Sequence, residues 1–224
     1  MSPRNTELSR PDLVERALEI ADAEGMTAVT VRRLAKEFGV TPMALYWHFA
    51  NKDELLAAMG DSFYDSVALP ADGAWDERLR AVTAALVTTL RRHPGAAHLA
   101  LARVLSCDEG LDLSEATFAM LRAEGFSVIE TADIARTALQ TAASLVTQEA
   151  GAEVEHGSDK RDEVIEAKRK ALAALPVERY PNVLECMECL TDTADEDEYY
   201  RFGVDLFVDG VRALHDRVRA ESRA

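Results

Sequence analysis

The chain has 224 residues, 48% of them hydrophobic, which is ample for a packed core and excludes wholesale disorder. No run approaches the roughly 18–20 uninterrupted apolar residues of a membrane span, and Met1-Ser2-Pro3-Arg4-Asn5-Thr6-Glu7 lacks the apolar stretch of a signal peptide, so a cytoplasmic location and no membrane partner are expected. A net charge of −15 argues against nucleic acid in general, because affinity for DNA is largely phosphate neutralisation.

Residues 1 to 9 read as a flexible arm, and Pro11 heads a first helix whose stripe is Val14, Ala17, Leu18 and Ala21, stopped at Gly25. Thr30 to Lys52 then reads as two short helices joined by a glycine turn. Val31, Leu34, Ala35 and Phe38 bury one face, Gly39 turns the chain, and Thr41-Pro42 supplies an N-cap with proline at the first helical position. This is a helix-turn-helix pattern, and the local balance from Thr30 to Lys52 is four cations against one anion inside an acidic molecule. Such a molecule repels duplex everywhere except at that tip, which predicts steep salt dependence. In helix-turn-helix proteins the second helix lies in the major groove, so Thr41, Pro42, Met43, Ala44 and Tyr46 are candidates for DNA contact. Arg33 and Lys36 are read instead as an ordinary solvated face.

Asn51-Lys52-Asp53-Glu54 is a capping box that starts a fourth helix, carrying Leu55, Leu56, Met59 and Phe63 and expected to run to about Leu69. Pro70 to Gly73 marks a boundary. Everything beyond reads as helical, with punctuation at His93-Pro94-Gly95, Cys107 to Gly110, Glu124-Gly125-Phe126 and Leu175-Pro176. Residues 128 to 150 form one long apolar helix rich in alanine, and 151 to 163 form a polar, mobile connection. The last helix, about 195 to 219, carries two apolar stripes: Val204, Phe207, Val208, Val211, Leu214 and Val218 on one side, Tyr199, Phe202, Leu206 and Gly210 on the other. A surface helix needs one stripe, so the second calls for a partner, and a two-fold dimer formed with the 128 to 150 helix is expected.

The run Leu45-Tyr46-Trp47-His48-Phe49 followed by Asn51-Lys52 resembles the DNA-binding end of TetR-family repressors, the tetracycline repressor branch in particular. The resemblance implies that Arg32 reads guanine, that Thr30, His48 and Lys52 hold phosphates, and that Tyr46 touches DNA, while Trp47 packs against the base of the module. Pro42 stands where that branch has a glutamine, so the operator should differ. Weaker likeness continues through Trp75, Ala123-Glu124-Gly125-Phe126 and Phe202-Gly203-Val204-Asp205-Leu206. Ala68, Val82 and Leu86 stand at the drug-contacting histidine, asparagine and phenylalanine of that branch, and His98 at its metal-binding histidine. Tetracycline with magnesium is therefore not the expected ligand, and a more apolar effector is.

Candidate effector contacts are Leu86, Leu90, His98, Leu101, Phe118, Met120, Leu121, Gln140, Ser144 and Gln148, each with ordinary core packing as its alternative. Gln140, Ser144 and Gln148 recur one helical turn apart on an apolar helix, which predicts a buried polar stripe in need of partners. Cys186-Met187-Glu188-Cys189 has the spacing of half a zinc site without the other half, so no metal or other cofactor is expected and the cysteines are read as buried or half-buried. No catalytic motif is present.

The reading is an all-α protein: a helix-turn-helix domain with its arm over 1–50, a linking helix over 51–70 and an effector-binding and dimerisation domain over 71–224. It would be a homodimeric, ligand-responsive repressor of a palindromic operator in double-stranded DNA and not an enzyme. The alternative is a ligand-sequestering or adaptor dimer. The linking helix is the expected lever, as the one connection between the two halves.

Overall fold

The computed structural model describes residues 9–148, 158–192 and 195–221, and among these there are helices and turns but no strand. The N-terminal module is α1 (Arg10–Glu24), α2 (Val31–Glu37) and α3 (Pro42–Leu45). Ser9 caps α1 by accepting the Asp12 N–H at 3.2 Å, and Thr30 caps α2 by accepting that of Arg33 at 3.0 Å. Gly39, between α2 and α3, has φ +65°, a conformation that costs a side-chain-bearing residue about 1 kcal/mol or more. Leu13, Ala17, Leu34, Leu45 and Phe49 close the module's core.

Next comes α4 (Lys52–Asp61), capped as its box predicts, with the Asn51 side chain accepting the Glu54 N–H at 2.9 Å. It ends well before Leu69. Phe63 and Tyr64 are adjacent and both buried, and a straight helix would point them about 100° apart. The chain leaves the helix in successive turns, and Tyr64 donates its hydroxyl to the Ala100 carbonyl at 2.7 Å.

The C-terminal half contains α5 (Trp75–Leu90), a 3₁₀ turn (Pro94–Ala96), α6 (His98–Arg103), α7 (Asp108–Ala123), α8 (Val128–Thr147), α9 (Ser158–Ala173), α10 (Pro181–Glu185), α11 (Met187–Thr191) and α12 (Glu196–Glu221). The expected connection over 151–163 and the arm over 1–9 lie mostly outside the described residues, and 158–163 are already helical. α5, α8 and α12 pack on one another, with α7 against α8. Gly203 of α12 lies so close to Leu145 of α8 that a Cβ there would force the leucine side chain to move. Val204, Val208 and Val211 of α12 are buried in this core, whereas Phe202 and Leu206 are 67% and 65% exposed and Gly210 faces open space. The first stripe therefore turns inward and Phe202, Leu206 and Gly210 of the second turn outward, but Tyr199, expected with them, is half-buried against the core.

The linking helix is not the one connection between the halves. Asp22 of α1 lies 2.7 Å from His93 Nδ1 and accepts the Gly95 N–H at 2.9 Å. A Cβ on Gly95 would stand 2.7 Å from the Ala21 carbonyl oxygen, so α1 rests directly on the 3₁₀ turn. α4 meanwhile packs on α6, where Asp61 accepts from Arg103 Nε at 2.7 Å and a Cβ on Gly60 would stand 2.5 Å from Arg103 Cγ.

No described helix is long and apolar enough to cross a membrane.

Candidate DNA interface and effector cavity

The exposed end of the N-terminal module is built from α2, α3 and the turn after it. Arg32, Thr41, Pro42, Met43 and Tyr46 are exposed there, and Thr30, Ala44, His48 and Lys52 are partly so. All nine lie on α2, on α3 or in the segments that flank them, and none is buried. The α-helix of α3 is only one turn long, and the chain continues from Tyr46 to His48 in looser turns closed by His48 N–H to Leu45 carbonyl at 2.9 Å. Trp47 does not pack against the base of the module, for its side chain is 88% exposed. The signal was in the spacing: Leu45 and Phe49, four apart, are buried, while Met43 and Trp47, also four apart, share the outer face.

Charge at this tip divides sharply. Arg33 is bonded to Glu24, with Nε to Oε2 at 3.1 Å, and to Glu37, which also accepts from Arg16 Nε at 2.9 Å. Hydrogen bonds from Arg16 and then Arg33 hold the Glu37 carboxyl down at about 2. Among the described residues no carboxylate lies within 4.0 Å of Arg32, Lys36 or Lys52, which remain available to phosphates or bases. Arg10 was not singled out from sequence. Its guanidinium sits 4.8 Å from the Phe49 ring centre, donates to the His48 carbonyl at 3.2 Å and pairs with Glu54 at 3.1 Å. Glu54 in turn accepts the Ala50 N–H at 2.8 Å, so Arg10 fixes the segment that carries His48 and Lys52.

A cavity of about 430 Å³ lies between α5, α6, α7 and α8. That is within the usual range for a small-molecule site. Leu86, Leu101, Phe118 and Gln140 line it, joined by Leu79, Val82, Val104, Leu113, Ala138 and Leu139. Leu90, Met120 and Leu121 do not. The cavity is bounded by residues 79–86 of α5 and 113–118 of α7, and the next turn of each helix is closed into solid core. His98 is exposed at the start of α6 and does not reach it.

The expected buried polar stripe is absent, since Gln140, Ser144 and Gln148 are all exposed in the single chain. Steps of four residues rotate by about 40° each, so only Gln140 borders the cavity while Ser144 and Gln148 drift off its edge. Cys186 and Cys189 are exposed rather than buried, because α10 and α11 pack only on α9 and on each other among the stronger contacts. No group of three or more potential metal ligands occurs among the described residues.

A family model described as bacterial regulatory proteins, tetR family, matches residues 13–59, and one described as tetracyclin repressor-like, C-terminal domain, matches residues 69–215. The HTH-type transcriptional repressor DrrR1 of Streptomyces coeruleorubidus is 27% identical over 223 residues, covering 94% of this chain and 79% of that one. An HTH-type transcriptional regulator of Saccharopolyspora erythraea is 34% identical over 121 residues, and this match spans 53% of the chain and about half, 51%, of that relative. Among solved structures, ActR of Streptomyces coelicolor in complex with actinorhodin superposes with a TM-score of 0.72 at 26% identity, covering 93% and 97% of the two chains. BioQ with its double-stranded DNA operator gives a TM-score of 0.56 at 31% identity, covering 72% and 98%.

Proposed function

Since the chain belongs to the TetR family of bacterial transcriptional regulators, we propose that it is a cytoplasmic homodimeric repressor that leaves a palindromic operator when a small, largely apolar effector fills the α5–α8 cavity. In this reading 1–50 binds DNA, 51–70 links, and 71–224 senses and dimerises. Arg32 reads a base edge from α2. Thr30, whose oxygen accepts the Arg33 N–H, still has a hydroxyl proton to donate to phosphate, and His48 and Lys52 beyond α3 offer N–H donors. Pro42, Met43 and Ala44 have no side-chain hydrogen bonds to offer and would read thymine methyl groups and groove shape, with Tyr46 and Trp47 against the backbone.

The observation that carries the proposal is the double use of α6. Leu101 of α6 and Val104 at its C-cap line the cavity, while Ala100 and Arg103 of the same helix hold Tyr64, just past α4, and Asp61, its last residue. A ligand that displaces α6 must displace α4, and with it the DNA module. Releasing operator by a factor of 100 takes only about 2.7 kcal/mol of differential effector affinity between the two forms. ActR solved with actinorhodin and BioQ solved with its operator support both halves of the reading.

Fluorescence anisotropy with duplexes from the region upstream of the protein's own gene tests it. One palindromic duplex should bind two chains, with affinity falling steeply as salt rises. Equal binding to scrambled duplex at low ionic strength would leave the adaptor reading in its place.

A further inference from the structure

The chemistry of the cavity wall says more about the effector than its volume does. The chain carries 40 aspartates and glutamates, yet none lines the cavity. Among the lining residues Arg136 alone is charged at neutral pH. The three wall hydroxyls are committed as donors: Ser114 to the Gly110 carbonyl and Thr117 to the Leu113 carbonyl, both at 2.8 Å, and Tyr64 to Ala100 at 2.7 Å. Burial also pushes the Tyr64 phenol well above its ordinary value, so it offers no anion to a cationic guest.

The donors that remain lie together at one place. Arg136 and Gln140 are one turn apart on α8, both on the cavity lining and both exposed, so they stand where the cavity opens to solvent. Arg136 Nη1 donates to Asp133 Oδ1 at 2.9 Å, which leaves Nε and Nη2 unspent. Asp133 itself does not line the cavity.

We infer that the effector is an organic acid: a rigid apolar body, seated among Val82, Leu86, Leu113 and Leu139, with one anionic group held at the mouth by Arg136 and Gln140. An amine of the same shape would be stripped of water against walls that offer it no carboxylate. The chain's overall negative charge does not defeat this arrangement. Beyond about 8 Å it is screened at physiological salt, while a guanidinium in contact acts at full strength. The inference rests on the cavity being the effector site, as proposed above.

Two dyes that differ in one group separate the two ideas: 1-anilinonaphthalene-8-sulfonate and its neutral twin N-phenyl-1-naphthylamine. Each is titrated by fluorescence against the full chain and against Arg136→Gln, and against Leu86→Trp and Ala135→Phe, which fill the cavity from α5 and from α8. All variants are first checked for parental melting. The parent should bind the sulfonate about tenfold or more tighter than the neutral dye, a preference that drops to about threefold or less in Arg136→Gln because the sulfonate is lost. Either filled variant that melts normally should lose both dyes. Equal affinity for the two dyes in the parent, or an undiminished preference in Arg136→Gln, overturns the acid while leaving the cavity as the effector site. Dye binding that survives both filled variants, or no binding of either dye to the parent, overturns the cavity reading and the acid with it.

Discussion

Arg32 and Arg33 adjoin in sequence and have opposite fates. Arg33, read as part of an ordinary solvated face, instead joins Glu37, Arg16 and Glu24 in a four-residue charged cluster that ties α1 to α2. Arg32, one position back, turns outward with no carboxylate near it among the described residues. Its replacement by alanine should therefore cost about 1–3 kcal/mol at one base pair and relax selection there, whereas Lys52→Ala should weaken every sequence alike and lower the slope of log affinity against log salt by about one. Anisotropy on a set of single-substituted operators reads both. If the two variants lose the same amount on every duplex, Arg32 is a phosphate contact. Glu37 makes a second prediction. Held at about 2 by its two arginines, against 4.5 when free, it contributes stability that is fully present above 4.5 and fades as pH falls towards 2. The difference in urea midpoint between parent and Glu37→Gln should accordingly be constant from pH 7 to about 5 and shrink below that. Trp47, expected against the base of the module, is exposed, and the exposure of its i,i+4 neighbour Met43 marks the same outer face.

At the level of elements, what the sequence announced best were the ends. Asn51 caps as expected, Thr41 holds the N-cap place of α3 without a side-chain cap hydrogen bond, Ser9 and Thr30 cap α1 and α2 without having been singled out for it, and Gly25 and Gly39 have positive φ where their helices stop. Capping is a local hydrogen bond, so local sequence suffices to see it. The early end of α4 was hidden because it depends on what Tyr64 meets 36 residues later, the carbonyl of Ala100. The seam between α1 and the 3₁₀ turn was hidden for the same reason, as it needs Asp22 brought to His93 and Gly95 from 71 and 73 residues away. That seam also titrates. The Asp22 hydrogen bond raises the His93 pKa above 6.5, helped by the nearby Glu15 and Glu19 and opposed by burial. A raised histidine stabilises the fold below 6.5, and that contribution is lost as pH climbs through the folded value. Asp22→Asn keeps an acceptor for the Gly95 N–H and removes the charge. It should lower melting at pH 6, by the equivalent of about 1 kcal/mol or less for a partly exposed pair, and do so less at pH 9. A penalty that is flat across that range would mean the pair contributes geometry alone.

For the molecule as a whole, charge and shape point the same way. An acidic body with one cationic tip needs two tips to hold a duplex, and the outward stripe of α12 provides a means of pairing them. Phe202 and Leu206 from two chains would bury four large side chains, worth roughly 1.5–3 kcal/mol each, or about 6–12 kcal/mol together. Association itself costs on the order of 4–15 kcal/mol, so this stripe alone would hold a dimer only weakly and must be joined by more of α12 and α8. Gly210, with open space around its Cα, allows a second helix to approach there, and Val128 and Ile129 leave apolar surface exposed at the start of α8. The outward stripe was legible in the sequence because period and stripe width are intrinsic to one helix. The sequence could not show that Gln140, Ser144 and Gln148 also face outward, since that depends on the rotation of α8 in its socket. The double variant Phe202→Glu with Leu206→Glu would set four carboxylates against one another across a two-fold axis, and each chain's own core, built on Val204, Val208 and Val211, would be untouched. Sedimentation should then report single chains at micromolar concentration. Operator affinity should fall by about 100-fold or more, because two half-sites would no longer be held at one effective concentration. Dye binding in the cavity should persist if the cavity belongs to one chain, as its lining from α5 to α8 indicates. A double variant that still sediments as a pair and binds operator unchanged would move the dimer contact to another face.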